Sequence, residues 1–229
     1  MIFGGMQKLT LLDFPNKTAC TVFTHGCNFV CPFCHNSGLV VERVRETLSE
    51  QDVLDFLKTR IGILEGVCIT GGEPLIQDGL VDFIRKVREL GFCVKLDTNG
   101  SVPEILEYVV QEKLVDYVAM DIKNSPELYG ITVGIEDLDL SNIERSKNFL
   151  INSDVDFEFR TTVVRQFHSQ ESLEALSEWI VGAKRYYLQS FKDSGDLICS
   201  GLSGYDAEEM LRLLDAVKRN IPNAQLRGI

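Results

Sequence analysis

The sequence predicts an α/β protein with a mainly parallel sheet, and three observations support this. Short apolar runs alternate with amphipathic runs along the 229 residues. Several apolar runs lack polar alternation, which is typical of parallel strands that are covered on both faces. Polar motifs follow the ends of successive runs. About six β/α units account for the pattern, and a doubly wound open sheet and a partial barrel both remain open.

The predicted strands are rich in Val, Ile, Phe, Tyr and Thr, which favour extended structure. They span residues 20–25, 66–70, 92–98, 117–122, 157–164 and 185–191.

The segments between the strands carry apolar residues at helical spacing, which we interpret as buried helix faces. The stripes are Val53, Phe56 and Leu57; Leu80, Phe83, Ile84 and Val87; Leu173, Leu176 and Ile180; and Met210, Leu213, Leu214 and Val217. The sequence TLSE at 47–50 predicts that the first of these helices opens with a capping box, with Thr47 as the N-cap residue.

Composition sets limits on the class of protein. No repeat, low-complexity run or linker divides residues 1–229, so we expect one domain. The net charge of -11 argues against a large nucleic-acid-binding face, which needs clustered basic residues. The N-terminus lacks the features of a signal peptide and no apolar run reaches the length of a membrane span. We therefore expect a cytoplasmic protein with reduced thiols.

The stretch THGCNFVCPFCHN at 24–36 places Cys27, Cys31 and Cys34 within eight residues. Three thiolates can hold a [4Fe–4S] cluster and leave one iron open for a ligand. Structural zinc is the main alternative and needs a fourth ligand, with His35, His25 and Cys20 as candidates. A disulfide with one free thiol is a third reading, although it suits a reducing compartment poorly. Spacing alone leaves all three open.

The remaining cysteines lie among apolar or small neighbours, and we expect them to be buried thiols. They are Cys20, Cys68, Cys93 and Cys199. The histidines His25, His35 and His168 are expected at the surface or behind the site.

Polar motifs end four of the predicted strands: GGEP at 71–74, DTNG at 97–100, MDIK at 120–123, and the cysteine loop. In a parallel α/β sheet, working residues gather at the carboxyl ends of the strands, so these motifs should converge. Two glycines allow the backbone to approach a ligand, and Glu73 suits an ammonium or a hydroxyl. Arg160 lies within an apolar strand and needs a carboxylate partner if it is buried, either from a ligand or from Glu73.

The sequence CNFVCPFC followed by GGEP resembles the radical S-adenosylmethionine (SAM) enzymes. The stretches FTHGCNFVCPFCHN, LDTNG and VDYVAMDIK are similar to those of glycyl-radical-enzyme activases. GGMQKLTLLDFPNKTACTVF at 4–23 and YYLQSF at 186–191 resemble the activating proteins of anaerobic ribonucleoside-triphosphate reductase. The resemblance covers essentially the whole chain and implies a partial (β/α)6 barrel of the radical SAM type.

The resemblance also implies roles for individual residues. Cys27, Cys31 and Cys34 would ligate three irons of one [4Fe–4S] cluster, with SAM on the open iron. The positions implied to contact SAM are Phe33, Gly71, Gly72, Glu73, Asp97, Thr98, Asp121, Lys123 and Arg160.

Three of these roles are more specific. Gly71, Gly72 and Glu73 would receive the SAM amino group, and Lys123 could pair with the SAM carboxylate. Asp121 is implied to help hold a monovalent cation. Outside this set, Asp13 in LLDFPN resembles the activase stretch that positions the target glycine peptide.

The implied activity is reductive cleavage of SAM to a 5′-deoxyadenosyl radical, which makes a glycyl radical on a partner enzyme. Anaerobic ribonucleotide reductase is the implied partner, with a flavodoxin- or ferredoxin-type electron donor. A formate-lyase-like partner, a small-molecule substrate such as a deazapurine precursor, and a non-enzymatic zinc or electron-transfer module are the alternatives. A second cluster is not expected, because only Cys68 lies between Cys34 and Cys93.

Overall fold

The computed structural model describes residues 1–40, 47–193, 195 and 197–228, and its central element is a nine-stranded sheet. The strands are β1 (Ile2–Thr10), β2 (Ala19–Thr24), β3 (Leu48–Ser49), β4 (Gly66–Gly71), β5 (Cys93–Thr98), β6 (Tyr117–Asp121), β7 (Asp156–Val163), β8 (Tyr186–Ser190) and β9 (Gln225–Arg227). The helices are α1 (Ser37–Val40), α2 (Glu50–Lys58), α3 (Leu80–Glu89), α4 (Pro103–Gln111), α5 (Pro126–Val133), α6 (Ser141–Asn152), α7 (Gln170–Trp179) and α8 (Ala207–Lys218).

The strands follow one another across the sheet in the order β3-β1-β2-β4-β5-β6-β7-β8-β9. From β2 to β9 all neighbours are parallel, whereas β1 is antiparallel to both β2 and β3. A doubly wound sheet reverses its strand order at a switch point. The parallel strands here keep chain order and do not close into a ring, so the fold is the partial barrel.

All six predicted strands are confirmed, within two residues at each end. The prediction missed β1, β3 and β9. The first contains two glycines and pairs antiparallel at the side of the barrel, while β3 and β9 are two and three residues long. Such short segments take extended structure from their neighbours, and their own sequence carries no periodic signal.

The predicted helix stripes form the apolar core. Phe83, Ile84 and Val87 of α3 are completely buried. Adjacent strand residues alternate between the two faces of the sheet. On β5, Val94 and Leu96 are completely buried in this core, whereas Lys95 and Asp97 point to the opposite face, inside the barrel. The helices therefore cover an apolar outer surface and leave a polar interior.

The capping box lies two residues later than predicted. The Ser49 hydroxyl accepts the Asp52 N–H, and the Asp52 carboxylate accepts the Ser49 N–H at 2.9 Å. Leu48 and Ser49 pair with β1, which keeps them extended and prevents an earlier helix start. Thr47 is therefore not the N-cap residue.

Glu158 closes the lower end of the barrel interior and is 1% exposed. Arg227 of β9 donates to both of its oxygens, at 2.6 and 2.8 Å, and the Tyr117 hydroxyl donates at 2.8 Å. A buried carboxylate needs such compensation, because desolvation of an unpaired charge is costly. In the part of the chain that the structure describes, no helix is long and apolar enough to cross a membrane.

Replacing Arg227 with Met should lower the free energy of unfolding by about 3 kcal/mol, because Glu158 would stay buried without its cation. Arg212→Met is the control, since the Arg212–Glu208 pair is largely exposed and should contribute less than about 1 kcal/mol. Urea unfolding of the two variants measures both values. Equal decreases in the free energy of unfolding would show that the buried Glu158 pair stabilises the fold no more than an exposed pair does.

Candidate active site

The cysteine loop follows β2, and Cys27, Cys31 and Cys34 line one cavity at the carboxyl ends of the strands. Main-chain hydrogen bonds fix the loop. Val30 N–H donates to Val133 O of α5 at 3.0 Å, and Cys34 N–H donates to Cys31 O at 3.0 Å. The loop is therefore held against the barrel before any ligand binds.

The thiols lie in a partly desolvated setting. Burial raises the pKa of Cys27, and it raises the pKa of Cys31 to about 11 against the opposing charge of Lys123. Cys27 Sγ accepts the Phe29 N–H at 3.4 Å and the Asn99 amide at 3.9 Å. Thiolates here need a cationic partner, and bound iron supplies one.

The GGEP loop after β4 touches the cysteine loop directly. Glu73 N–H donates to Gly26 O at 2.9 Å, and Gly72 N–H donates to Thr24 O at 3.0 Å. A Cβ atom on Gly72 would lie 1.9 Å from Gly26 O. Gly71 has φ of +113°, and a Cβ atom there would lie 2.5 Å from Thr24 N. Both glycines are therefore required by backbone contact.

Glu73 is 1% exposed and is held by three donors. Its carboxylate accepts the Leu75 N–H at 3.0 Å, the Thr98 hydroxyl at 2.7 Å and the Asn99 N–H at 2.7 Å. Burial outweighs these bonds and raises the pKa of Glu73 to about 7. The described chain places no cation on this carboxylate, which suits it to a cationic group of a ligand.

A chain of alternating charges crosses the cavity floor. The Asp97 carboxylate forms salt bridges with Lys95 and, at 3.0 Å, with Arg160. Asp121 forms salt bridges with Arg160 at 2.8 Å and with Lys123 at 2.9 Å. Burial alone would raise the pKa of Asp121, but Arg160 and Lys123 outweigh it and lower this pKa to about 2. The protein partners of Arg160 are thus Asp97 and Asp121, and the expected contact with Glu73 is absent.

Phe33 lines the cavity, and His168 packs behind it. Phe33 is 5% exposed and packs on Phe167, with ring centroids 5.6 Å apart. His168 is completely buried, accepts the Val164 N–H on Nδ1 at 3.1 Å and donates from Nε2 to Lys123 O at 2.7 Å. This pattern describes a neutral imidazole that holds the backbone of Lys123. His168 therefore lies behind the site rather than at the surface.

Two residues singled out in the sequence, Cys199 and Asp13, lie outside the cavity. Cys199, expected to be buried, is exposed on the loop that follows β8. Asp13 lies outside the residues that line the cavity and accepts the Thr21 hydroxyl at 2.5 Å. The other twelve predicted site residues all line the one cavity: Cys27, Cys31, Phe33, Cys34, Gly71, Gly72, Glu73, Asp97, Thr98, Asp121, Lys123 and Arg160.

The cavity also contains polar residues that the sequence analysis missed. They are Asn36, Thr70, Asn99, Thr162 and Gln189. Asn99 lies in DTNG, where an Asn-Gly pair usually indicates a turn and so draws attention away from the polar side chain. Gln189 could have been noticed as an isolated amide inside the strand-like run YYLQSF.

The ligands fit a cluster better than a single ion. Within the described ranges, no three His, Cys, Asp or Glu side chains converge on a position that could hold one metal ion. A zinc site needs its ligands 2.0–2.3 Å from one ion, whereas an iron–sulfur cube gives each thiolate its own iron. Three thiols on one wall, with the Glu73 carboxylate in the same cavity, fit a cluster and a zwitterionic ligand.

Replacing Gly72 with Ala should lower the free energy of unfolding by at least ~2 kcal/mol and reduce bound iron after anaerobic reconstitution, because the new Cβ forces the two loops apart. Gly5→Ala is the control, since a Cβ atom there meets nothing within 4 Å. Iron content and urea unfolding provide the two measurements. Full iron loading in the Gly72 variant would contradict the required close approach.

Comparison with known proteins agrees with this geometry. Residues 21–134 match the family model of the radical SAM superfamily. A Methanocaldococcus jannaschii protein, named as a candidate glycyl-radical enzyme activating enzyme, is 31% identical over 240 residues, covering 100% of this chain and 96% of that protein. A Methanothermobacter marburgensis protein, named as a probable GTP 3′,8-cyclase, is 29% identical over 109 residues, covering 46% of this chain and 35% of that protein.

Solved structures share the fold. A radical SAM methyltransferase from Sphaerobacter thermophilus superposes with a TM-score of 0.75 at 13% identity, over 96% of this chain and 68% of that one. Streptococcus suis SuiB bound to S-adenosylmethionine gives 0.70 at 16% identity, over 91% of this chain and 52% of that one. The chain thus spans about half the length of SuiB. With the three-cysteine loop and the full-length relative, these matches show that the chain belongs to the radical SAM superfamily, whose cofactors are a [4Fe–4S] cluster and SAM.

Proposed function

We propose that this radical SAM enzyme is a glycyl-radical-enzyme activase. The observation that carries the proposal is the full-length similarity to the M. jannaschii relative, which leaves no part of the chain unmatched. The site supports it, because three thiols, a free carboxylate and uncharged polar groups share one cavity.

Within the proposal, Cys27, Cys31 and Cys34 hold the cluster, and the cavity beside them takes SAM. When bound and reduced, the two cofactors would supply methionine and a 5′-deoxyadenosyl radical able to take one hydrogen atom from the glycine α-carbon. Glu73 would accept the SAM amino group. Lys123, which is already held by Asp121, would pair with the SAM carboxylate.

Salt bridges among the surrounding residues hold the charged groups of the cavity in position. Asp97 and Asp121 share Arg160, so each carboxylate has its charge compensated inside the protein. The resemblance to activases also suggested a monovalent cation at Asp121. Because Arg160 already occupies the space between these two carboxylates, the proposal does not include that cation.

The finer assignment concerns the partner. We propose anaerobic ribonucleoside-triphosphate reductase as the target, on the resemblance of residues 4–23 and 186–191, and a flavodoxin- or ferredoxin-type protein as the electron donor. The proposal takes residues 1–229 as one cytoplasmic radical SAM domain and gives Asp13 a role beside the target peptide.

Cleavage of SAM tests the enzymatic part. After anaerobic reconstitution and reduction with dithionite, the protein should form 5′-deoxyadenosine from SAM, and Cys31→Ala should lower the rate at least about 100-fold because one iron loses its ligand. Cys199→Ala is the control, since that thiol is exposed and does not line the cavity. Equal rates in the wild type and Cys31→Ala would contradict the cluster assignment. Formation of a glycyl radical on the reductase, seen by electron paramagnetic resonance, tests the partner.

The affinity for SAM should depend on pH through Glu73. Its pKa of about 7 means that raising the pH from 6 to 7.5 creates the carboxylate that pairs with the ligand ammonium. Nearby Asp121 adds to this upward shift. Affinity should therefore rise several-fold over this range.

Calorimetric titration of SAM into the oxidised, cluster-loaded protein measures this dependence. Glu73→Gln should abolish the rise between pH 6 and 7.5, whereas Glu112→Gln, at an exposed position, should retain it. A rise that persists in Glu73→Gln would assign the titration to another group.

A further inference from the structure

Each carboxylate oxygen of the cavity floor is paired with a cation of the protein itself. Asp97 pairs through one oxygen with the Lys95 ammonium and through the other with Arg160 Nη1 at 3.0 Å. Asp121 pairs through one oxygen with Arg160 Nε at 2.8 Å and through the other with Lys123 Nζ at 2.9 Å. The two carboxylates therefore already have their full set of charged partners.

A metal cation at this position would need those same oxygens. Hard metal cations are bound by carboxylate, carbonyl and water oxygens, whereas ammonium and guanidinium groups offer no acceptor and cannot ligate them. Within the described ranges, no three His, Cys, Asp or Glu side chains converge on a position for one metal ion. The monovalent cation implied by the resemblance to activases therefore does not fit these residues.

The charge balance of the floor supports the same conclusion. Three cations face two carboxylates, which leaves one positive charge in surplus. A bound metal cation would raise this surplus to two charges in a partly desolvated cavity, where repulsion between like charges is strong. A carboxylate of a ligand would neutralise the surplus instead.

Lys95 is the member of this network that does not line the cavity. It lies two residues before Asp97 on β5, its side chain is 2% exposed, and its ammonium lies 3.8 Å from Cys68 Sγ. A lysine is almost never buried to this degree unless it is paired. Burial lowers the pKa of Lys95, but the charge of Asp97 outweighs burial and raises this pKa above its ordinary value. Lys95 therefore supplies a permanent positive charge from beneath the cavity, where solvent ions do not exchange with it.

We propose that Lys95 is a positioning residue that takes the place of a metal cation beneath the SAM site, so that SAM binding by this protein does not depend on Na⁺ or K⁺. The Lys95 ammonium holds one oxygen of Asp97, which leaves Arg160 to be shared between two carboxylates. The surplus positive charge of the floor then remains for the carboxylate of SAM. The inference rests on the placement of SAM in this cavity and is independent of the identity of the partner enzyme.

Exchange of salts on the wild-type protein tests the inference. SAM is titrated calorimetrically into the oxidised, cluster-loaded protein in potassium, sodium or tetramethylammonium chloride, and the methyl groups of the last cation keep its charge away from a carboxylate oxygen. An ionic strength of about 0.1 M makes screening equal in the three salts. The three Kd values for SAM should agree within about twofold. A larger rise in tetramethylammonium chloride would show that a metal cation is required and would overturn the inference.

Replacing Lys95 with Met, which has a similar length and no charge, should create the dependence that the wild type lacks. In tetramethylammonium chloride its Kd should rise about tenfold, because Asp97 loses a cation and the floor loses its surplus charge. K⁺ should restore part of the affinity, since one Asp97 oxygen is then open to it. Lys218→Met, at an exposed position, is the control and should bind SAM as the wild type does.

Two results with Lys95→Met would contradict the inference. A wild-type Kd in every salt would show that Lys95 has no effect on the SAM site. A loss of affinity that is equal in the three salts would show that Lys95 has only a structural role.

Thermal unfolding of the cluster-free proteins tests the floor without SAM. Exchange of tetramethylammonium for K⁺ should leave the Tm of the wild type unchanged and raise that of Lys95→Met, because a cation that binds only the folded state stabilises it. A K⁺-dependent Tm in the wild type would contradict the inference, and this comparison needs no variant to fold. If the cluster-loaded wild type binds no SAM in any salt, the placement of SAM fails, while the Tm values still decide whether the floor holds a metal cation.

Discussion

The alternating charges of Lys95, Asp97, Arg160, Asp121 and Lys123 are the interaction on which the site depends. Each member is buried or half-buried, and none would be tolerated there alone, because desolvation of an isolated charge costs several kcal/mol. Together they satisfy one another across three parallel strands. This network holds the cavity floor rigid. Glu73 is the cavity carboxylate that has no cationic partner among the described residues, so a cationic group of a ligand is attracted to Glu73.

The network depends on the separation of an apolar outer face from a polar inner face in this barrel. An apolar outer face, covered by helices, supplies the hydrophobic burial that stabilises the fold, so the inner face is free to carry polar groups. Sequential strand order then brings the ends of β4, β5, β6 and β7 side by side. At the lower end of the barrel, Arg227 compensates the charge of the buried Glu158 carboxylate. This salt bridge also attaches the short strand β9 to strand β7.

The same barrel serves different chemistries in its relatives, and the comparisons reflect this. Solved structures share the fold at identities of 13–18%, which says nothing about substrate. In this chain the cavity wall on β7 and β8 carries Thr162 and Gln189, which are uncharged hydrogen-bonding residues.

The sequence by itself determined the six parallel strands, the helix stripes and the set of strand-end motifs, because periodicity and spacing are local properties. Twelve of the thirteen predicted site residues line one cavity, since parallel strands align their carboxyl ends whatever their order. Periodicity alone left a partial barrel and a doubly wound sheet open, and the resemblance of the motifs to radical SAM enzymes correctly predicted the barrel. Only the tertiary structure paired Arg160 with Asp97 and Asp121 and buried His168 behind Lys123. These outcomes depend on which strands become neighbours and on contacts between residues 39 or more positions apart, and local sequence carries no record of such distances.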